Sequence, residues 1–393
     1  MTDIGPVSQP PADSAARISV FDVGTVLILV TTHAALAPMI VFVSERDQPG
    51  EGEQEAGSVP CFEEAERLFA GGHHARLIDE RVPLHIISRV FQGRHLLRPE
   101  PALNDLILGV VGRAQVLFPD VELFALAVMS NHIHAMARGP AHALPFFIGY
   151  IKREISRRFG HRPDIDWPDG MWRPYIATAL PTEESQIRCF KYIAAQGTKE
   201  LLVERPQDWP GVHTVKASML GRTLRGTWLN ATGYFRAQQA QARKQRPEPV
   251  RRADFLHTYE VVLSPLPAWS ALDEETRRAR VAALVEQICV EARKERDARG
   301  RQALGAAAVM RVSRERRTAL PKQPWFEKRK RMICWADPRA PEARAYLRAY
   351  WDFQLAFKAA SRRLKDGALD TEFPARAFRP MSYHPPPRPA PSP

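Results

Sequence analysis

The stretch that decides the fold is Val121-Glu122-Leu123-Phe124-Ala125-Leu126-Ala127-Val128-Met129-Ser130-Asn131-His132-Ile133-His134. Residues 121–129 form an apolar run typical of a buried strand, and residues 133–138 predict a second strand after a short turn. Side chains alternate along a strand with a period of two, so His132 and His134 share one face. Two imidazoles on one face of a rigid strand can hold a divalent cation between them.

The segments around this stretch alternate between strand and helix patterns. Residues 84–90 and 172–180 predict strands, and residues 104–118 and 145–159 predict helices that open at Asn104 and Pro145. A last helix begins at 181–184 and is interrupted at Gly197. The order β-α-β-β-α-β-α predicts an α+β, ferredoxin-like split βαβ fold, with an antiparallel sheet and helices on one face.

Helical patterns dominate the rest of the chain. Residues 273–299 predict a long charged helix, and Tyr346, Tyr350, Phe353 and Phe357 recur at the spacing of a buried helix face. The basic run 328–331, flanked by Trp325 and Trp335, fits either a phosphate-gripping, base-stacking segment or a solvated charge run. The Pro-rich stretch 383–393 predicts a disordered tail.

Length and charge divide the chain into three parts. At 393 residues it is long for one domain, and its net charge of +12 is unevenly placed. Residues 1–82 carry 5 Lys and Arg against 13 Asp and Glu, residues 83–212 carry 15 against 13, and residues 213–393 carry 36 against 18. We therefore predict a partly disordered N-terminal extension (1–82), a central domain (83–212), and a basic, mostly helical C-terminal region (213–393). This last region suits a polyanion, although an Arg-rich solvated surface is the alternative.

Cysteine usage and hydropathy bear on the compartment. The four cysteines, Cys61, Cys189, Cys289 and Cys334, are widely spaced and form no CxxC, which fits a reducing cytoplasm better than a zinc ribbon or a disulfide scaffold. Residues 23–44 carry no formal charge and are long enough to span a bilayer, but Thr, His and Pro residues lower their hydropathy. We expect a buried hairpin or a dispensable upstream extension there, and no membrane partner.

Tyr192 and Gln196 stand four residues apart in the last predicted helix, so they share a face. Two imidazole nitrogens and one amide oxygen leave open positions on a cation, which suits Mg²⁺ or Mn²⁺ better than structural zinc. A tyrosine beside a metal-activated phosphodiester can attack phosphorus. Tyr150 and Tyr175 are rival nucleophiles, and a packed core tyrosine is the structural alternative for Tyr192.

Together these residues resemble the HUH-endonuclease superfamily, most closely its single-tyrosine, REP-associated (RAYT-like, IS200-like) transposases. The family's Met-Pro-Asn lead-in and His-hydrophobic-His strand resemble the stretch that runs from Met129 to His134, with Ser130 replacing proline. Its Tyr-Ile-x-x-Asn helix resembles the stretch from Tyr192 to Gln196. The similarity covers about residues 83–212 and extends to the strand at 84–89, to 171–173 and to 202–211.

The resemblance implies a metal-dependent single-stranded DNA endonuclease and strand transferase, acting on hairpins such as repetitive extragenic palindromes. Tyr192 would be the nucleophile, joined to a 5′ phosphate, and His132, His134 and Gln196 would hold Mg²⁺ or Mn²⁺. The basic residues Lys152, Arg153, Arg157 and Arg173 would contact the DNA, with a homodimer as one option. Gln196-Gly197 departs from the common Asn-Pro, although glutamine keeps the amide oxygen.

Two other interpretations of the sequence stay open. The long extensions at both ends fit a transposase relic that binds nucleic acid without cleaving it, although the complete set of His132, His134, Tyr192 and Gln196 argues against it. A membrane-tethered regulator that uses residues 23–44 is the third reading. Metal-dependent nicking and sedimentation with membranes would separate these alternatives.

Overall fold

The computed structural model describes residues 74–159, 170–244, 248–318 and 332–377, all within one compact unit, Val59–Pro393. The predictions for residues 23–44, for the basic run 328–331 and for the tail after 383 lie outside the described residues. Within the described ranges, no helix combines the length and the apolar character needed to cross a bilayer.

The strands of the described chain form a four-stranded sheet and a two-stranded sheet. The four-stranded sheet contains β1 (Leu84–Arg89), β2 (Glu122–Met129), β3 (His132–Arg138) and β4 (Ile176–Ala179). Its strand order is β2-β3-β1-β4, and every neighbouring pair is antiparallel. The two-stranded sheet pairs β5 (Leu224–Leu229) with β6 (Leu256–Val261), also antiparallel. The predicted α+β class with an antiparallel sheet is therefore confirmed.

Among the described residues, the helices that the sequence predicts occur in the predicted order, together with shorter helices. They are α1 (Pro101–Leu117), α2 (Leu144–Phe159), α3 (Glu183–Ala194), α4 (Val215–Leu220), α5 (Ala231–Ala242), α6 (Glu274–Arg299), α7 (Ala306–Arg311) and α8 (Pro341–Lys365). The prediction that Asn104 caps α1 was wrong. Pro101 at the first helical position already suits the helix start, because its φ is fixed and it lacks the N–H that would go unpaired there. The Asn104 side chain instead donates to the carbonyl of Pro210 at 2.7 Å.

Helices cover both faces of the sheet, which corrects the prediction of helices on one face. The first face packs against α1 and α2, through residues such as Leu126 and Ile133. The second face packs against α3 and α6, through residues such as Ala127 and Met136. Residues 123–129 of β2 are all buried, because successive side chains point into two different cores.

Residues beyond 212 contribute to the same cores. Tyr346, Tyr350 and Phe353 of α8 are buried in the first core as the periodicity predicted, with Phe357 packed against it. The β5–β6 sheet packs on α1 so closely that a Cβ on Gly109 would clash with the backbone carbonyl of Thr227. This sheet was not predicted within the mostly helical C-terminal region. The boundaries at residues 82 and 212 stay predictions.

Candidate functional site

Two histidines open strand β3 and face the second core. His132 pairs with Arg89 of β1 and His134 pairs with Ile87, in an antiparallel register. The ring centroids of His132 and His134 are 4.7 Å apart and the rings are nearly perpendicular. His134 is buried and His132 is partly exposed. The shared face expected from strand alternation therefore exists, with one ring near solvent and the other inside.

A third histidine, His85 of β1, stacks on His134. Its register partner is Met136, which lies two residues beyond His134 on the same face of β3. The rings of His85 and His134 are 5.2 Å apart between centroids at 14°, and His85 Nε2 lies 3.0 Å from His134 Nδ1. From the sequence, residues 84–90 are predicted as a strand and no site residue is assigned there. The available signal was the histidine among the apolar residues at the start of this strand.

Tyr192 lies near the end of α3, which is held at its start by a reciprocal cap. Thr182 accepts from the Ser185 N–H, and Ser185 Oγ accepts from the Thr182 N–H, both at 3.1 Å. The α3 helix packs on the second face of the sheet, which brings the Tyr192 ring to 5.6 Å from the His134 ring and 5.7 Å from the His85 ring. The predicted nucleophile and the predicted histidine ligands are therefore neighbours.

Gln196 lies in the turn after α3 rather than within the helix. The helix ends at Ala194, and Gly197 follows Gln196 with a φ of +89°. Gln196 is buried, and its Nε2 donates to the carbonyl of Tyr192 at 3.1 Å. Because the amide nitrogen is used in this bond, the amide oxygen is the atom left for a cation or for His132.

Two further residues border Tyr192, and sequence reasoning had assigned neither to the site. Lys199 Nζ lies 3.7 Å from the centre of the Tyr192 ring, and Glu200 is its ion-pair partner at 3.4 Å. The Trp335 ring lies 5.4 Å from the Tyr192 ring and 5.8 Å from the His85 ring. Trp335 reaches the site because its backbone N–H donates to the carbonyl of Ala179 at the edge of β4. No local sequence signal places Trp335 beside Tyr192, because the two residues are far apart along the chain.

The histidines of the site are held neutral. Burial, followed by the positive charge of Lys199, lowers the pKa of His85 to about 4. Burial and the charges of Arg89 and Lys199 lower the pKa of His132 to about 3, against a hydrogen bond with Gln196 that raises it. Burial is also the main cause that depresses the pKa of His134. Neutral imidazole is the form that binds metal ions.

The donor set fits a hard or borderline cation. His132 Nδ1 donates to Asn131 Oδ1 at 2.5 Å, and His134 Nδ1 contacts His85, so each ring keeps Nε2 for a ligand. Gln196 adds an amide oxygen. Among the described residues, no three His, Cys, Asp or Glu side chains are arranged to hold a metal ion, and this predicted set contains only two such residues. Metal binding by these residues stays a prediction.

Three of the four residues predicted to contact DNA lie on the face of the sheet opposite Tyr192. Lys152, Arg153 and Arg157 are on α2, which packs on the first face of the sheet, opposite Tyr192. Lys152 Nζ donates to the carbonyl of Arg173 at 2.9 Å, and burial lowers its pKa to about 8. Arg173 is exposed, and its backbone N–H donates to the carbonyl of Arg89, the residue that pairs with His132. Of the four residues, Arg173 is therefore the one tied to the histidine end of β1.

The rival tyrosines are not beside the histidines. Tyr150 is buried in the first core on α2, where the Arg153 guanidinium lies 5.6 Å from its ring. Tyr175 packs partly against the same core, with the Arg76 guanidinium 3.7 Å from its ring centre. Of the three candidates, Tyr192 is the one whose ring contacts His134.

Comparison with known proteins gives structural neighbours but no sequence relatives. No protein-family model and no curated protein matches the chain. One similar solved structure is a REP-associated tyrosine transposase bound to a REP hairpin (TM-score 0.31, 15% identity, 49% of this chain and 99% of that one). Another is a candidate transposase from Deinococcus radiodurans R1 (TM-score 0.22, 25% identity, 29% of this chain and 89% of that one). Both TM-scores are below 0.5, so neither similarity carries an argument about this chain.

Proposed function

We propose that this protein is a metal-dependent single-stranded DNA endonuclease and strand transferase of the single-tyrosine HUH type, on a ferredoxin-like split βαβ domain. The observation that carries the proposal is the contact between Tyr192 and His134, with their rings 5.6 Å apart. The contact joins a potential nucleophile to a potential metal ligand across two elements. The β-α-β-β-α-β order of the elements and the strand order β2-β3-β1-β4 also support it.

We assign each residue of the site a role in this reaction. His132, His134 and Gln196 would hold Mg²⁺ or Mn²⁺, and a bound cation would polarise the scissile phosphate. Tyr192 would lose its phenolic proton to solvent and attack phosphorus. The new bond joins Tyr192 Oη to phosphorus, the bond from phosphorus to the 3′ oxygen breaks, and that oxygen takes a proton. A second 3′ hydroxyl would reverse these steps and complete strand transfer.

Two positively charged side chains near the site, Lys199 and Arg89, are better placed than the α2 residues to stabilise the negative charge of the reacting phosphate. Lys199 lies over the Tyr192 ring, and the charges of Arg89 and Lys199 both act on His132. We expect them to face the substrate phosphates, because preorganised positive charge stabilises a developing oxyanion. Lys152, Arg153, Arg157 and Arg173 keep their proposed role in binding the flanking DNA.

The proposal is tested by incubating the purified protein with labelled single-stranded DNA hairpins from its own genomic neighbourhood, with Mn²⁺ or with EDTA. A covalent protein–DNA adduct should form with Mn²⁺, be absent with EDTA, and disappear in Tyr192→Phe. Tyr150→Phe is the matched control and should keep the adduct. DNA binding without any adduct would instead support a non-catalytic transposase relic. An adduct that survives Tyr192→Phe would overturn the nucleophile assignment.

A further inference from the structure

A third histidine, His85, packs against the proposed metal ligand His134. His85 is buried in the centre of the site, between His134, Tyr192 and Trp335. Lys199 is the charged group that acts on it. A histidine is a costly residue for a buried position unless its ring nitrogens are used.

We infer that His85 is a positioning residue for the metal centre, and that it accepts a hydrogen bond from His134 and thereby directs the Nε2 lone pair of His134 toward the cation. This inference rests on the proposed function, because it concerns the same cation. His85 would act through His134 and would not itself touch the metal or the DNA.

The number of protons on the two rings decides which of them donates. Two neutral imidazoles whose nitrogens lie 3.0 Å apart must share one N–H, with one ring donating and the other accepting. If His85 donated, His134 would carry its own proton on Nε2 and could not offer that nitrogen to a cation. If His134 donates from Nδ1, its Nε2 lone pair is free, and the proton of His85 lies on Nδ1. Binding of a cation by His134 Nε2 therefore selects the second arrangement.

Burial and ring stacking stabilise the hydrogen bond that His134 donates to His85. His85 and His134 are 4% and 1% exposed, so little water can replace the bond between them. Their rings are stacked at 14°, which fixes the orientation of the His134 ring as well as its proton. His132 is oriented in the same way by a different partner, since its Nδ1 donates to Asn131 Oδ1. Each proposed imidazole ligand thus has its Nδ1 bonded, and a cation held by His132 and Gln196 would replace the hydrogen bond between those two side chains.

The alternative is that His85 is itself a ligand. Its Nε2 faces His134 Nδ1 at hydrogen-bonding distance, which leaves no room for a cation between those two atoms. In the described part of the chain, no group of three histidines or carboxylates is arranged around a common point for a metal. The geometry therefore favours the positioning role, and the ligand role becomes an outcome of the test.

The test is a Mn²⁺ titration, followed by electron paramagnetic resonance, of the full chain and three variants. His85→Leu keeps the bulk and removes the acceptor, and we expect Mn²⁺ affinity to fall about 10- to 100-fold. His85→Gln restores an acceptor oxygen and should recover most of that loss. Ser88→Ala, on the same strand but facing the first core, should leave the affinity unchanged. Circular dichroism melting shows whether each variant is folded.

A spectroscopic readout completes the test. In the ¹⁵N-histidine NMR spectrum with Mg²⁺, the wild-type protein should show His134 protonated on Nδ1 alone. This single protonation state should no longer be observed in His85→Leu. Unchanged Mn²⁺ affinity in a folded His85→Leu would overturn the inference, as would equal abolition of binding in His85→Leu and His85→Gln, which would make His85 a ligand. If the wild-type protein binds no Mn²⁺, the proposed function fails, and this inference fails with it.

Discussion

Replacement of Gly197 by alanine tests how tightly the turn after α3 is packed against Trp209. Gly197 has a φ of +89°, which L-residues rarely adopt, and that conformation alone costs about 1–2 kcal/mol. A Cβ at this position would also lie 3.0 Å from Cε3 of Trp209. The Trp209 ring cannot move away easily, because it is 5% exposed and its Nε1 donates to the carbonyl of Val128 at 2.9 Å. Such overpacking adds about 1–3 kcal/mol.

We therefore expect Gly197→Ala to lower the free energy of unfolding by about 2–5 kcal/mol in urea titrations. Gly367→Ala is the matched control, because Gly367 has a φ of +93° but open space where its Cβ would go. It should cost only the conformational part, about 1–2 kcal/mol. Gly197→Pro, the residue of the resembled family, should be worse still, since proline cannot reach this φ and loses the N–H that donates to Glu200 at 2.7 Å. Equal losses for Gly197→Ala and Gly367→Ala would refute the reasoning about Trp209.

Two more predictions concern titration and charge. Burial lowers the pKa of His213 to about 4, so between about pH 6.5 and pH 4 the unfolded chain binds a proton that the folded chain does not, and stability decreases as the pH falls. This histidine alone should cost about 2 kcal/mol at pH 5 relative to pH 7 in urea titrations. His213→Gln should remove that part of the dependence and leave the part due to His85, His132 and His134; an unchanged slope would contradict this. Lys199→Gln should slow adduct formation with hairpin DNA at least about tenfold, because its charge lies over Tyr192. Arg225→Gln, on β5 where its guanidinium pairs with Glu260, should change the rate little, and equal effects of the two variants would contradict the role given to Lys199.

Much of the fold could be predicted because its signals are local. The strand pattern around His132 and His134 and the capped start of α3 depend on spacings of two to four residues. Where local signals competed, the prediction failed: Asn104 is a good helix cap, but Pro101 had already started the helix. The prediction of helices on one face failed because the apolar run of β2 does not show which helix covers which side.

By itself, the sequence determined that two histidines share a face of a strand and that Gln196 follows Tyr192 by four residues at the end of a helix. Only the tertiary structure decided that α3 packs on the face that carries those histidines. It also brought His85, Lys199 and Trp335 to the same place, from a neighbouring strand, from the turn after α3 and from the edge of β4. The reason is physical: side-chain periodicity follows from backbone geometry within one element. Strand register and helix packing depend instead on contacts between residues far apart in the chain.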